Sequence, residues 1–232
     1  MQRRGFFSLN ALWGNKVAVL VGDYLLSKGL LLSIENNAID LLRITSTAVR
    51  EMSEGELLQI EKARKLDIKE AVYFQIIRKK TASLIASACA AGAASTGVDQ
   101  SLTDDFYKLG EMIGIAFQIR DDLFDFGDGD AGKPQGNDIQ EKKMTLPLIR
   151  ALNQTDDNNR NRIIDIIKNE STDPVKINEV TNFVLSSDGI EYARNKMIEF
   201  RNQGLEILNQ FEDSPSKKAF RDLIIYVTER QK

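Results

Sequence analysis

Apolar residues recur at spacings of three and four along most of the chain, the pattern that predicts α-helices with one buried face. The only prolines are Pro134, Pro147, Pro174 and Pro215, so long stretches lack the residue that most strongly interrupts a helix. No alternating pattern of useful length indicates a strand. The sequence therefore predicts an all-α protein, a single-domain helical bundle over residues 1–232.

The predicted helices share this periodicity and are separated by short polar or glycine-containing turns. They cover about residues 15–33, 38–63, 68–95, 103–126, 161–168, 177–185, 190–211 and 216–229, with helical structure resuming near Leu146 after a loop. The fourth helix is predicted to begin after Ser101 or Thr103, with Thr103 as the candidate N-cap, and Gly97 is the stop signal of the third. The predicted buried stripe of the second helix consists of Leu41, Leu42, Thr45, Ala48, Val49, Met52 and Leu57. In the third, the alanines Ala82, Ala86, Ala90 and Ala93 predict a close helix–helix approach.

Composition indicates a soluble globular protein, with 42% hydrophobic and 28% charged residues. A formal net charge of −3 gives no electrostatic case for a nucleic-acid partner. The longest apolar stretch, residues 17–32, is interrupted by Asp23 and Lys28, and no signal peptide is recognisable at the amino terminus. We therefore expect a cytoplasmic protein without a transmembrane segment.

Histidine is absent and Cys89 is the only cysteine. These absences exclude histidine-dependent triads, HExxH zinc peptidases, multi-cysteine zinc sites and an internal disulfide. Carboxylates, lysine, arginine and hydroxyl groups remain for chemistry. An enzyme built from these groups is most naturally a metal-assisted or phosphate-handling one.

Three aspartates, Asp121, Asp122 and Asp125, lie together near the end of the fourth predicted helix, with Gln118 one turn before Asp122. Residues four apart share a helix face, so these carboxylates repel one another unless a cation lies between them. Hard oxygen ligands of this kind favour Mg²⁺, which is often completed by substrate phosphates. The alternative is a solvated acidic helix end. The surrounding apolar residues favour a buried metal site instead, namely Phe117, Ile119, Leu123, Phe124 and Phe126.

Two other motifs fail on inspection. Residues 127–133 fit the start of a P-loop, but Pro134 replaces the metal-binding Ser or Thr, a helix precedes the motif, and the loop aspartates would repel phosphate. An EF-hand starting at Asp128 fails because Lys133 replaces the required glycine and Ile139 the bidentate glutamate.

The aspartate motif and the following loop, GKPQGNDIQEKKMTLPL at 132–148, together resemble the trans-prenyl diphosphate synthases, especially the long-chain octaprenyl and heptaprenyl type. That family carries F-Q-x-x-D-D-x-x-D, then G-K-P-x-G-x-D, then a lysine shortly before T-L-P. Residues 22–26, 54–56 and 80–81 match further family blocks in the expected order. Lys142 departs from the pattern, since the family often has glycine there.

The resemblance implies the isoprenoid synthase fold and a prenyltransferase that adds isopentenyl diphosphate to an allylic prenyl diphosphate, commonly as a homodimer. Asp121, Asp122 and Asp125 would hold Mg²⁺ on the allylic diphosphate. The other implied site residues contact substrate: Lys80, Lys133 and Lys143 for diphosphate, Thr81 and Gln118 near the reacting carbons, Arg3 for the allylic and Arg4 for the isopentenyl diphosphate.

The implied mechanism follows from charge. Magnesium and lysines would stabilise the departing diphosphate, so that the allylic carbon–oxygen bond ionises and isopentenyl diphosphate attacks the cation. Without histidine, the released diphosphate would accept the proton. The apolar bundle would exclude water that quenches the cation.

The resemblance also predicts a missing part, because the family's first aspartate motif lies just upstream of its Arg-Arg-Gly block. Here Met1-Gln2 directly precede Arg3-Arg4-Gly5. We expect a partial, amino-terminally truncated polyprenyl synthetase domain that has little or no synthase activity alone. A non-catalytic diphosphate-binding subunit or inactive fragment is the alternative. A terpene cyclase ranks lower, since cyclases lack the Gly132-Lys133-Pro134 loop and the Arg pair.

Overall fold

A computed structural model describes residues 2–3, 6–66, 69–127 and 136–230 of the chain. The predicted all-α fold is confirmed, apart from two two-residue strands that pair antiparallel near the amino terminus. The elements in chain order are β1 (Gln2–Arg3), β2 (Phe6–Phe7), α1 (Leu9–Glu35), α2 (Ile39–Lys65), α3 (Glu70–Ile77), a π-helix (Arg78–Ala82), α4 (Ser83–Ala94), α5 (Gln100–Phe124), α6 (Asn137–Gln140), α7 (Leu146–Gln154), α8 (Asp157–Asn169), α9 (Pro174–Leu185), α10 (Gly189–Asn209) and α11 (Pro215–Glu229).

Local sequence signals explain most helix starts. Pro147, Pro174 and Pro215 each lie in the first turn of a helix, where the missing N–H has no intrahelical acceptor to lose. The prediction of Thr103 as the N-cap of α5 is wrong. The carboxylate of Asp99 accepts a hydrogen bond from the backbone N–H of Leu102 at 2.8 Å, so α5 begins at Gln100 and Thr103 lies within it.

Helix α5 forms the centre of the bundle and packs against α4 and α10. The predicted close approach of the alanine-rich segment is confirmed for Ala82 and Ala86, which are fully buried. A Cβ added at Gly110 would lie 2.7 Å from the Cα of Ala86, and one at Gly114 would lie 2.5 Å from the Cα of Ala82. Backbones this close require glycine on α5. The contact fixes the position of α5 relative to the segment that contains Ala82 and Ala86.

The predicted buried stripe of α2 is only partly correct. Ala48 is buried as expected, and Gly55 is buried against the π-helix. Val49 and Leu57 are instead 40% and 67% exposed. Apolar residues occupy more than one face of α2, and periodicity alone does not identify the face that meets the bundle.

Helix α1 has no buried residue. Its exposed large apolar side chains are Leu9, Leu12, Trp13, Val17, Val19, Leu20, Tyr24, Leu25, Leu26, Leu31, Leu32 and Ile34. By length and composition α1 is also the one helix among the described residues that qualifies as a membrane span, with a mean hydropathy of 1.7 over its most apolar window. Asp23 and Lys28 therefore do not take this stretch below the composition of a membrane span, and the expectation of no transmembrane segment stays a prediction.

Candidate active site

A π-helical stretch interrupts the helical segment that follows α2. The sequence predicts one continuous helix over residues 68–95, whereas Arg78–Ala82 is π-helical between α3 and α4. Such a stretch inserts an extra residue into the turn and re-aims the side chains around it, often at functional sites. Lys80 and Thr81 lie in this stretch, and both line the same cavity.

This cavity, of about 210 Å³, lies between α2, the α3–π-helix segment, α5 and the segment that follows α6. Its polar lining gathers most of the residues that the sequence predicts for the site. They are Lys80, Thr81, Gln118, Asp121, Asp122 and Lys143, joined by Gln59, Tyr73, Asp138, Lys142 and Thr145. The predicted residues Arg4 and Lys133 and the side chain of Arg3 lie outside the described part of the chain.

A hydrogen-bonded chain holds Asp122 in place. Tyr73 donates its hydroxyl to Oδ2 of Asp122 at 2.7 Å, and Gln118 donates Nε2–H to Oδ1 at 2.9 Å. Thr81 donates its hydroxyl to Oε1 of Gln118 at 2.9 Å. Burial and the nearby Asp138 raise the pKa of Asp122 to about 7. A buried carboxylate with this environment is stabilised as an anion by a cation beside it.

Tyr73 is the main site residue that the sequence analysis missed. It is buried, and burial followed by the negative charge of Asp122 raises its pKa well above the usual value, so that its hydroxyl remains a donor. Two signals point to it in retrospect. Tyr73 lies seven residues before Lys80, about two helical turns, and a tyrosine within an apolar helix needs a partner for its hydroxyl.

Replacing Tyr73 with phenylalanine is expected to raise about tenfold the Mg²⁺ concentration needed for half-maximal binding of inorganic pyrophosphate, because Asp122 loses an orienting donor. Calorimetric titration at several Mg²⁺ concentrations measures this. Tyr226→Phe, the same change at a 63% exposed position, serves as the control. Equal Mg²⁺ dependence in the Tyr73→Phe variant and the wild type would contradict the assigned role.

The Asp125 carboxylate binds backbone amides, unlike the carboxylate of Asp122, which binds side chains. It is the C-cap of α5, and its carboxylate accepts hydrogen bonds from the backbone N–H groups of Asn137 at 2.9 Å and Asp138 at 3.3 Å. Burial and the charge of Asp138 raise its pKa to about 6. Asp125 thus fixes the segment that brings Asp138 to the cavity. Its assignment as a magnesium ligand stays a prediction.

The acidic residues of the cavity fit a magnesium ion that the substrate completes. Asp121, Asp122 and Asp138 line the cavity with hard oxygen donors. Among the described residues, no three carboxylate, histidine or cysteine side chains converge closely enough to form a ligand set by themselves. Mg²⁺ is commonly held by one or two carboxylates, with waters and substrate phosphates as its other ligands. In this chain, Asp121 and Asp122 are suited to that role.

Of the lysines that line the cavity, Lys80 and Lys143 are paired with acidic side chains, whereas Lys142 is not. Lys143 Nζ contacts Asp138 at 3.0 Å and Glu141 at 2.6 Å. Burial disfavours its charged form, but the hydrogen bond to Glu141 and the charge of Asp138 outweigh burial and raise the pKa of Lys143. Lys142 has a positive φ of 57°, a backbone conformation that glycine adopts without strain. The family that the sequence resembles often has glycine at this position. Its Nζ donates to the backbone carbonyl of Lys168.

Comparison with known proteins agrees with this geometry. The polyprenyl synthetase family model matches residues 1–184. The short chain isoprenyl diphosphate synthase of Methanothermobacter thermautotrophicus is 33% identical over 99% of this chain and 72% of its own length.

Two crystal structures extend the comparison to the fold. A decaprenyl diphosphate synthase from Rhodobacter capsulatus superimposes with a TM-score of 0.92 at 32% identity, covering 100% of this chain and 72% of that one. A Caulobacter crescentus polyprenyl synthase, complexed with calcium and isoprenyl diphosphate, gives 0.90 at 29% identity, covering 99% and 71%. With the sequence motifs and the cavity that they line, these matches establish that the chain belongs to the polyprenyl synthetase family of prenyltransferases.

Proposed function

We propose that the cavity binds the diphosphate of an allylic prenyl substrate through Mg²⁺ held by Asp121 and Asp122, and that isopentenyl diphosphate is then added to this substrate. The observation that carries the proposal is a single cavity that joins these two carboxylates with Lys80, Thr81 and Gln118. A diphosphate leaving group is stabilised by a cation and by a lysine that contacts its phosphate oxygens. The paired carboxylates can hold the cation, and Lys80 supplies the ammonium group.

Bound magnesium would neutralise much of the diphosphate charge. The ammonium groups of Lys80 and Lys143 stabilise the negative charge that grows on the departing diphosphate as the allylic carbon–oxygen bond breaks. Gln118, fixed by Thr81 and Asp122, presents an oriented dipole at the cavity wall. The new carbon–carbon bond forms when the double bond of isopentenyl diphosphate attacks the allylic cation, and the released diphosphate accepts the proton.

Support for a divalent cation comes from the chemistry of the donors and from the Caulobacter crescentus relative, which was crystallised with calcium and isoprenyl diphosphate. The cavity carboxylates are hard oxygen donors that suit either ion. We favour Mg²⁺ as the working ion because it is typically bound through one or two carboxylates together with waters and substrate phosphates, whereas Ca²⁺ takes six to eight oxygen ligands.

The exposed apolar side chains of α1 are proposed to pack against a second copy of the chain, giving a cytoplasmic homodimer. An apolar 27-residue segment with no buried residue, kinked at Gly14, is costly to leave in water. Sedimentation equilibrium without detergent is expected to give about twice the 26.1 kDa chain mass. A monomer, or recovery of the protein with membranes, would contradict this assignment.

The activity test is incorporation of labelled isopentenyl diphosphate with farnesyl diphosphate as primer, with Mg²⁺ or with EDTA. Incorporation is expected only with Mg²⁺, and at a low rate. The D-D-x-x-D motif occurs once in the 232 residues, whereas the family that the sequence resembles has two aspartate motifs. Incorporation that is equal in EDTA would contradict the proposal. Magnesium-dependent binding of farnesyl diphosphate without any incorporation would instead favour a non-catalytic diphosphate-binding subunit.

A further inference from the structure

Two glutamates on α2, Glu54 and Glu56, flank Gly55, and the cavity site described above gives this Glu-Gly-Glu block no role. Gly55 is buried, and a Cβ added there would lie 2.6 Å from the backbone nitrogen of Lys80. The backbones of α2 and the π-helix therefore touch at this point. Any residue larger than glycine would separate them and move the flanking carboxylates away from the π-helix.

Each glutamate pairs with one of two successive lysines of the π-helix. Glu54 contacts Lys79 and Glu56 contacts Lys80, both with N···O distances of 2.6 Å. The two pairs are similarly exposed, with side chains between about one-third and one-half accessible. They differ in one respect that concerns function, because Lys80 lines the cavity and Lys79 does not.

Lys80 also contacts a second side chain on α2. Its Nζ donates to Oε1 of Gln59 at 3.2 Å, and Gln59 itself lines the cavity. A lysine ammonium has three N–H donors that can rotate together. Within the described part of the chain, Gln59 accepts one of them, and the Glu56 carboxylate lies 2.6 Å from Nζ as an ion pair. The two side chains together restrict where the ammonium lies and leave N–H donors for a ligand in the cavity.

We propose that Glu56 is a positioning residue that, with Gln59, aims the Lys80 ammonium at the substrate diphosphate. The inference rests on the proposed function of the cavity as a diphosphate site. Its physical basis is pre-organisation, since a free lysine side chain loses considerable rotamer freedom when it binds. The ion pair with Glu56 removes part of that freedom before the substrate arrives.

The charge of Glu56 alone predicts the opposite change in diphosphate affinity when this residue is removed. Glu56 adds a negative charge near a site for an anion, so its removal should strengthen diphosphate binding if it acted only through its field. A positioning role predicts weaker binding after removal. The direction of the change therefore separates the two possibilities.

The test is calorimetric titration of the 232-residue protein with inorganic pyrophosphate in Mg²⁺. Glu56→Ala is expected to weaken binding roughly three- to tenfold, the range for one long side chain that must be immobilised on binding. Glu56→Gln is expected to retain most of the affinity, because its side chain has the same length and offers Lys80 an amide oxygen. Glu54→Ala removes an equally short ion pair from the same two elements and is expected to bind like the wild type.

A double-mutant comparison removes general packing effects from the result. In a Lys80→Ala background, Glu56→Ala should have no further effect if it acts only through Lys80. Unchanged or tighter binding by Glu56→Ala, or equal losses for Glu56→Ala and Glu54→Ala, would overturn the inference and leave the diphosphate site intact. Failure of the wild-type protein to bind pyrophosphate with Mg²⁺ would instead overturn the proposed function.

Discussion

Replacing Asp122 with asparagine is expected to lower the affinity for inorganic pyrophosphate in Mg²⁺ by about 100-fold or more, since it removes a proposed metal ligand rather than one of its supporting groups. The side chain keeps its size, but the cavity loses a buried negative charge. One of the donors, Tyr73 or Gln118, would also face an amide N–H₂ in place of an acceptor oxygen. The measurement is calorimetric titration with pyrophosphate at fixed Mg²⁺.

Asp104→Asn is the matched control for this change. Asp104 lies on the same helix, α5, but is exposed and hydrogen-bonds only locally to Gln100 among the contacts described for it. We expect its substitution to leave binding unchanged. If the two variants bind pyrophosphate equally well, Asp122 does not hold the metal.

Replacing Gly114 with alanine is expected to lower the free energy of unfolding by about 2–3 kcal/mol, because the new Cβ would overlap the backbone and side chain of Ala82. The neighbouring Thr81 would move with Ala82, so its hydrogen bond to Gln118 should also suffer. Urea denaturation followed by circular dichroism measures the change, which corresponds to a loss of roughly 5–10 °C in melting temperature.

Gly92→Ala tests whether the loss of stability in Gly114→Ala comes from steric overlap rather than from replacing a helical glycine as such. Gly92 lies on α4, where an added Cβ would meet nothing within 4 Å. An alanine there should stabilise the protein by about 0.5–1 kcal/mol, since glycine is unfavourable inside a helix. Similar effects of the two substitutions would contradict the close packing of α4, α5 and the π-helix.

Periodicity was enough to predict most of the helices because most of them bury one face, and the prediction extended to the close packing of Ala82 and Ala86. It failed where several local signals competed. Thr103 and Asp99 are both plausible caps by residue type, and only the Asp99 carboxylate accepts the Leu102 amide. Leu57 fits the helical period but lies on a face of α2 that this chain leaves exposed.

The acidic motif could be read from the sequence, but the orientation of each carboxylate depends on tertiary structure. Asp125 turns to the amides of residues 137 and 138, which are distant in sequence, whereas Asp122 meets Tyr73 from another helix. The π-helix has no recognised sequence signature, so the re-aiming of Lys80 could not be predicted. Spacing within one helix gives candidate groups, and contacts between helices decide what each group does.

The proposed function requires this chain to bind an allylic diphosphate through a divalent cation held by the α5 aspartates. The most direct test is equilibrium dialysis of the 232-residue protein with labelled farnesyl diphosphate, in Mg²⁺ and in EDTA. We expect binding in the micromolar range with Mg²⁺ and roughly 100-fold weaker binding in EDTA, with Asp121→Asn also binding weakly in Mg²⁺. Affinity that is the same with and without Mg²⁺, or unchanged by Asp121→Asn, would contradict it.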